Sequence, residues 1–220
     1  MDFLTSNGFD FVYADAQLFG ANVRDENFMR NAPSHGELSA ASLINGTCNV
    51  LTSGTVVRRE NVVKVGGFDE DLPPIGMEDF DLWIRLLKTG TFGSFQRRIL
   101  LKYRVRERSL SGSNIARGER TIAALNIISE KHELTGEERK ALDFRLKHGR
   151  KYLALERAKT SLVTKDFGAS RSFIEAALEA EPNLKYRGIR MMVLLFPETC
   201  RRLFKLLRSD EYEFILKANR

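Results

Sequence analysis

The sequence is poor in the residues that anchor small secreted or metal-bound folds, with two cysteines, three histidines and one tryptophan in 220 residues. Cys48 and Cys200 stand far apart and fit neither a Cys-x-x-Cys pair nor a disulfide framework, so they read as reduced cytosolic thiols. His35, His132 and His148 have no ligand spacing and read as surface or cap residues. There is no Gly-rich phosphate loop and no Ser/His/Asp arrangement. The start, Met1-Asp2-Phe3, lacks the basic and apolar regions of a secretory signal. The strongest apolar run, Met191 to Phe196, is too short to cross a bilayer as a helix. These absences argue against a disulfide scaffold, a metal cluster and an integral membrane protein. They leave a cytoplasmic chain that reaches at most the inner face of a membrane.

What is present is an ordinary soluble balance, with 43% hydrophobic and 29% charged residues. The formal net charge of +6 is unevenly placed. Met1 to Leu110 holds 13 Lys and Arg against 14 Asp and Glu, whereas Ser111 to Arg220 holds 22 against 15. The basic half has no basic run and no aromatic interleaving of the nucleic-acid-binding kind, so no nucleic-acid partner is expected.

Phe9 to Ala14 alternates like a strand, with Asp15 at or just past its carboxyl end, where α/β proteins place ligand-binding groups. Ala21 to Pro33 reads as a loop. Ser34 and Glu37 have capping-box spacing for a short helix ending near Gly46. Thr52 to Arg58 is a short β-rich segment, and Glu60 to Val65 a brief helix stopped by Gly66-Gly67. In Glu78 to Leu87, Phe80, Trp83, Ile84 and Leu87 mark one face of an amphipathic helix that stops at Gly90. Ile99 to Val105 reads as a further strand.

From Ile115 onward the pattern is helix after helix. Candidates are Ile115 to His132, Glu137 to Val163 behind a Thr135/Glu138 capping box, Phe167 to Glu181, and one helix on either side of Pro197. Ala158, Phe167, Ser170, Ala177 and Pro182 have the spacing of one tetratricopeptide-like unit. Solenoids need several such units, so a general αα-hairpin with close-packed small residues is the better reading. Basic residues flanking Met191 to Phe196 and Leu203 to Leu207 also allow a peripheral membrane contact, against the simpler alternative of a helix packed on its neighbours.

Glu78, Asp79 and Asp81 fall around the first turn of a helix, where the dipole and unpaired N–H groups favour negative charge. Acids there are ordinary helix chemistry, and one facing a pocket can accept a proton. The surrounding pattern sharpens that reading. Val65-Gly66-Gly67-Phe68-Asp69-Glu70, a Pro-containing turn, then Glu78-Asp79-Phe80-Asp81-Leu82-Trp83 resembles the inverting family 2 glycosyltransferases of the GT-A fold. Phe11 to Asp15, Thr52 to Arg59, and Lys102 to Val105 with Ser109 to Ser111 resemble other pieces of that family in the same order.

The resemblance implies a catalytic base at Asp79 and substrate contacts at Glu78, Trp83, Ser53, Gly54 and Asp15. Trp83 also suits core packing, and Asp81 either faces solvent or pairs with Arg85 one turn on. A diphosphate-contacting loop would hold Arg104, Arg106, Ser109 and Ser111. Arg106 stands where many relatives place a histidine and is not a metal ligand. The family also implies a divalent cation, Mn²⁺ or Mg²⁺, whose Asp-x-Asp ligands would precede the first strand. Implied partners are a nucleotide-sugar donor and a glycan or lipid-linked acceptor.

The expectation is therefore an α/β, partial GT-A half-domain over residues 1–113, followed by an all-α helical domain over 114–220. Its activity would be glycosyl transfer in surface polysaccharide or glycoconjugate synthesis. Without the donor half the chain is not expected to be fully active alone, and an exposed sheet edge would favour self-association. The alternative is a non-catalytic module that binds glycan or a partner.

Overall fold

The computed structural model describes residues 2–20, 26–105 and 114–218. In chain order the elements are α1 (Asp2–Ser6), β1 (Phe11–Gly20), α2 (Phe28–Asn31), α3 (Ala40–Asn45), a 3-10 turn (Thr52–Gly54), β2 (Thr55–Val57) and α4 (Arg59–Lys64). Next come α5 (Glu78–Lys88), β3 (Gly93–Val105), α6 (Asn114–Lys131), α7 (Gly136–Val163), α8 (Phe167–Ala180), α9 (Leu184–Leu195), α10 (Pro197–Leu207) and α11 (Ser209–Ala218). Two compact units result. One holds Met1–Gly112 with Ala123–Arg145, the other Ser113–Ile122 with Leu146–Arg220. The division falls inside α6 and α7, so residues 123–145 group with the α/β half although the sequence turns helical near 113.

The first unit is built on a mixed three-stranded sheet of order β2-β1-β3. β1 pairs antiparallel with β2 and parallel with β3. β1 starts two residues later than its alternation suggests and runs on to Gly20, so Asp15 lies in mid-strand rather than at the end. β3 begins at Gly93, well before Ile99. Its start is hard to read from period-two patterning because the strand is irregular: the partner of Ala14 is Gln96, but that of Asp15 is Ile99. Arg97 and Arg98 are thus extruded as a bulge, and alternation is lost there.

The Ser34–Glu37 capping box is not formed. Ser34 instead hydrogen-bonds the hydroxyl of buried Tyr13. Burial pushes the Tyr13 phenol up to about 12, outweighing the lowering effect of that bond. The cap passes to Ser39, whose hydroxyl accepts from the Ser42 N–H at 3.1 Å while Ser42 Oγ accepts from the Ser39 N–H at 2.8 Å. Gly46 then ends the helix with a left-handed φ of 79°.

The core of this unit lies where Phe11, fully buried, stacks on Trp83 of α5 with ring centroids 5.5 Å apart. Gly93 makes that stack possible, because a Cβ there would sit 2.3 Å from Phe11 Cζ. The ring thus lies between Trp83 and the backbone of Gly93.

The second unit is helical. α7 and α8 form an antiparallel hairpin whose close approach rests on buried Ala158, Ser170 and Ala177. Ser170 Oγ donates to the Ala158 carbonyl at 2.9 Å across it. Asp166 caps α8 by accepting from the Ala169 N–H. Leu162, Ile174 and Val193 complete the core with α9, while Tyr212 and Ile215 of α11 pack on Val163. α11 is an addition to the helices read from sequence.

Gly93→Ala is expected to destabilise the first unit by about 1–3 kcal/mol through overpacking against Phe11. Urea unfolding followed by Trp83 fluorescence measures this, since the sole tryptophan reports that stack.

Candidate functional site

The first turn of α5 is positioned from three sides. The first is Gly66-Gly67, both with positive φ (83° and 72°), which turns the chain after α4. The second is Trp83 on Phe11. The third is Asp81, only 2% exposed, with Arg85 Nε at 2.7 Å from one oxygen and His132 Nε2 at 2.8 Å from the other. Arg85 also donates to the Val65 carbonyl at 2.5 Å, linking α5 to the end of α4. Burial pushes the Asp81 carboxyl up, but the hydrogen bonds from His132 and Arg85 outweigh it and hold it below its usual range. Asp81 is thus paired with Arg85, as its spacing allows, and is not solvent-facing.

Two further links hold 123–145 against the same helix. Lys88 Nζ bonds the Glu133 carbonyl at 2.8 Å and Glu138 Oε2 at 2.9 Å. Glu138 closes the Thr135 capping box through the same oxygen. Lys131 pairs with Asp69 in the loop before α5.

With α5 fixed, Asp79 sits half-buried at its second residue. Its Oδ1 accepts from the Phe80 N–H at 2.7 Å, and its Oδ2 accepts from Thr52 Oγ1 at 2.7 Å. Thr52 Oγ1 in turn accepts from Trp83 Nε1 at 3.4 Å, so a line runs from indole to hydroxyl to carboxylate. Both Asp79 oxygens keep a lone pair for another donor. The arrangement can orient a carboxylate and accept a proton.

The other sequence-selected residues are dispersed. Glu78 is exposed beside Asp79, and Ser53 is exposed on the 3-10 turn next to Thr52. Gly54 is explained by packing: a Cβ there would stand 3.0 Å from Leu101 Cδ2 and 3.1 Å from the Ala14 carbonyl oxygen. Trp83 is 4% exposed and lies flat on Phe11, offering no open face to a sugar. Asp15 Oδ1 accepts from the N–H groups of Ala16 at 2.8 Å and Met29 at 2.9 Å. It also lines an open groove with Arg30, Arg97 and Arg98. Arg104 is exposed near the end of β3, its guanidinium 5.4 Å from the Phe19 ring centroid. Arg106, Ser109 and Ser111 lie outside the described residues. Among the described residues no three His, Cys, Asp or Glu side chains converge as a metal site, so the expected cation has no fitting ligand set among them.

Residues 38–140 match the family model described as glycosyltransferase like family 2. That segment is a family 2 glycosyltransferase region. No curated protein and no solved structure matches the chain. The glycosyltransferase region runs from the helix before the 3-10 turn to the first turns of α7. It therefore includes Thr52, Asp79, Asp81 and His132, and it ends within the first compact unit.

Two residues of this region escaped sequence reading. Thr52 lies 27 positions from Asp79, and His132 lies 51 from Asp81, so no local spacing could have exposed either pairing. The one available hint was a histidine at the end of an apolar helix, next to a capping box.

His132→Ala should lower stability at neutral pH by about 1–3 kcal/mol, the cost of unpairing a buried charged group. Because the folded Asp81 is held below its unfolded value, its contribution is present at neutral pH and lost as pH falls through the folded value. Denaturant midpoints from pH 7 down to about 3 should fall less steeply in the variant than in the parent protein.

Proposed function

We propose that the glycosyltransferase region transfers a sugar from a nucleoside-diphosphate sugar to an acceptor hydroxyl with inversion, Asp79 acting as general base. The supporting observation is the Asp79 carboxylate, half-buried in the first turn of α5 and oriented by Thr52. In this reading the acceptor oxygen attacks the anomeric carbon as the bond from that carbon to the diphosphate oxygen breaks. The acceptor proton passes to Asp79, and the nucleoside diphosphate leaves with the bonding pair. A base of this kind contributes about 10²–10⁴-fold when within hydrogen-bond reach of the hydroxyl.

Glu78, exposed one residue before the base, is suited to holding the acceptor. Ser53 borders the same approach. Thr52 is a positioning residue: its hydroxyl, fixed by Trp83, restricts the carboxylate to one orientation. Arg104, with Arg106, Ser109 and Ser111, is assigned to the diphosphate side, and a divalent cation to the complete site. The acceptor is assigned to a surface glycan or its lipid-linked precursor.

The test is release of nucleoside diphosphate by the full-length gene product across a panel of donors and acceptors. Asp79→Asn should lower kcat by about 10²–10⁴-fold with its unfolding midpoint unchanged. Parental turnover in that variant would remove Asp79 from the role. A parent protein inert across the panel would favour the binding-module reading instead.

Thr52→Val should lower kcat by about tenfold, the worth of one hydrogen bond to a charged group, with donor KM unchanged. Thr52→Ser should restore it. A loss that serine does not rescue would mean the methyl group, and thus packing, is what matters at this position.

A further inference from the structure

α9 carries two apolar faces. Tyr186, Ile189 and Val193 pack into the core of the helical unit. Leu184, Met191 and Leu195 follow helical spacing on the opposite side and are exposed, Leu195 at 59%. Phe196 at the corner is 60% exposed, and α10 adds Leu206 and Leu207 at 78% and 75%. An apolar stripe of this kind is ordinarily packed against a neighbour, yet among the described residues only the stripe of Tyr186, Ile189 and Val193 is covered.

The charge carried by α9 and α10 is mostly of one sign, with Glu175 and Glu179 of α8 lining a groove beside Arg187, Arg190 and Met191. Residues 184–208 hold seven Lys and Arg and a single acid, Glu198, a net +6 equal to that of the entire chain. Arg190, Arg201 and Lys205 are paired with Glu175, Glu198 and Glu213. Arg187, Arg202 and Arg208 are exposed and have no carboxylate partner among the described residues.

We propose that α9 and α10 form a docking surface for a bilayer of anionic phospholipid. Leu195, Phe196, Leu206 and Leu207 enter the headgroup region, while Arg187, Arg202 and Arg208 meet lipid phosphates. A second copy of this chain would set like charge against like charge, which disfavours it as the occupant. Nucleic acid would satisfy the arginines and leave the leucines wet. No helix among the described residues is long and apolar enough to cross a membrane, so the contact is with the surface. The inference does not depend on the transfer chemistry.

Co-sedimentation of the full chain with vesicles tests it, comparing phosphatidylcholine alone with a mixture containing about one-third phosphatidylglycerol. Binding is expected to the anionic vesicles only and should weaken with added salt. Joint Arg187→Gln, Arg202→Gln and Arg208→Gln should lower partitioning about a hundredfold, at roughly fivefold per arginine. Joint Leu195→Ser and Leu206→Ser should lower it by at least about tenfold. Both changes fall on exposed positions, and an unchanged circular dichroism spectrum shows that the fold persists. No binding to anionic vesicles, or equal binding by every variant, overturns the proposal. So does a dimer in gel filtration that Leu195→Ser dissolves in the absence of vesicle binding, which gives the face to a second copy. Retention on polyglutamate without vesicle binding would likewise overturn it in favour of an acidic protein partner.

Discussion

A single buried carboxylate holds the α/β unit together around its candidate site. Asp81 is almost fully withdrawn from water, and such a charge is tolerable only with both oxygens engaged. Arg85 and His132 meet that requirement from different parts of the chain, one turn along α5 and just beyond α6. The consequence reaches past the pair itself. Arg85 ties α5 to the end of α4, and His132 brings residues 123–145 into the first unit. Asp79, two residues before Asp81, is presented where it is because the helix beneath it cannot rotate or slide without unpairing that charge.

Much of the fold was legible because it follows local rules. The amphipathic spacing of α5, the glycine stops after α4 and α5, the Thr135–Glu138 cap and the small residues of the α7–α8 hairpin all depend on neighbours a few positions apart. What failed did so where distant groups intervened. Ser34 was claimed by Tyr13 rather than by a helix, and the bulge at Arg97-Arg98 concealed the first part of β3. Asp15, expected at a strand end, accepts from the Met29 N–H of α2.

The candidate site divides in the same way. The acids and glycines around Asp79 form a compact sequence pattern, and the family match over 38–140 covers that segment. Thr52 was not legible in the sequence, since its value comes from two long-range bonds, to Asp79 and from Trp83. Trp83, read both as a substrate contact and as a core residue, is found in the core. It packs in the core against Phe11, and its indole N–H still steers the hydroxyl that orients the carboxylate.

The helical unit answers to a different constraint. Its interior is closed by α7, α8 and α9, whereas α9 and α10 keep apolar residues outside among most of the unbalanced positive charge. The central claim, however, concerns Asp81. Titration of the aspartate carboxyl carbons by NMR, in the parent protein and in His132→Ala, tests it most directly. The account predicts an Asp81 signal that stays ionised below the ordinary aspartate range in the parent and moves up in the variant. A parent Asp81 that titrates in the ordinary range, or one that ignores the loss of His132, would contradict it.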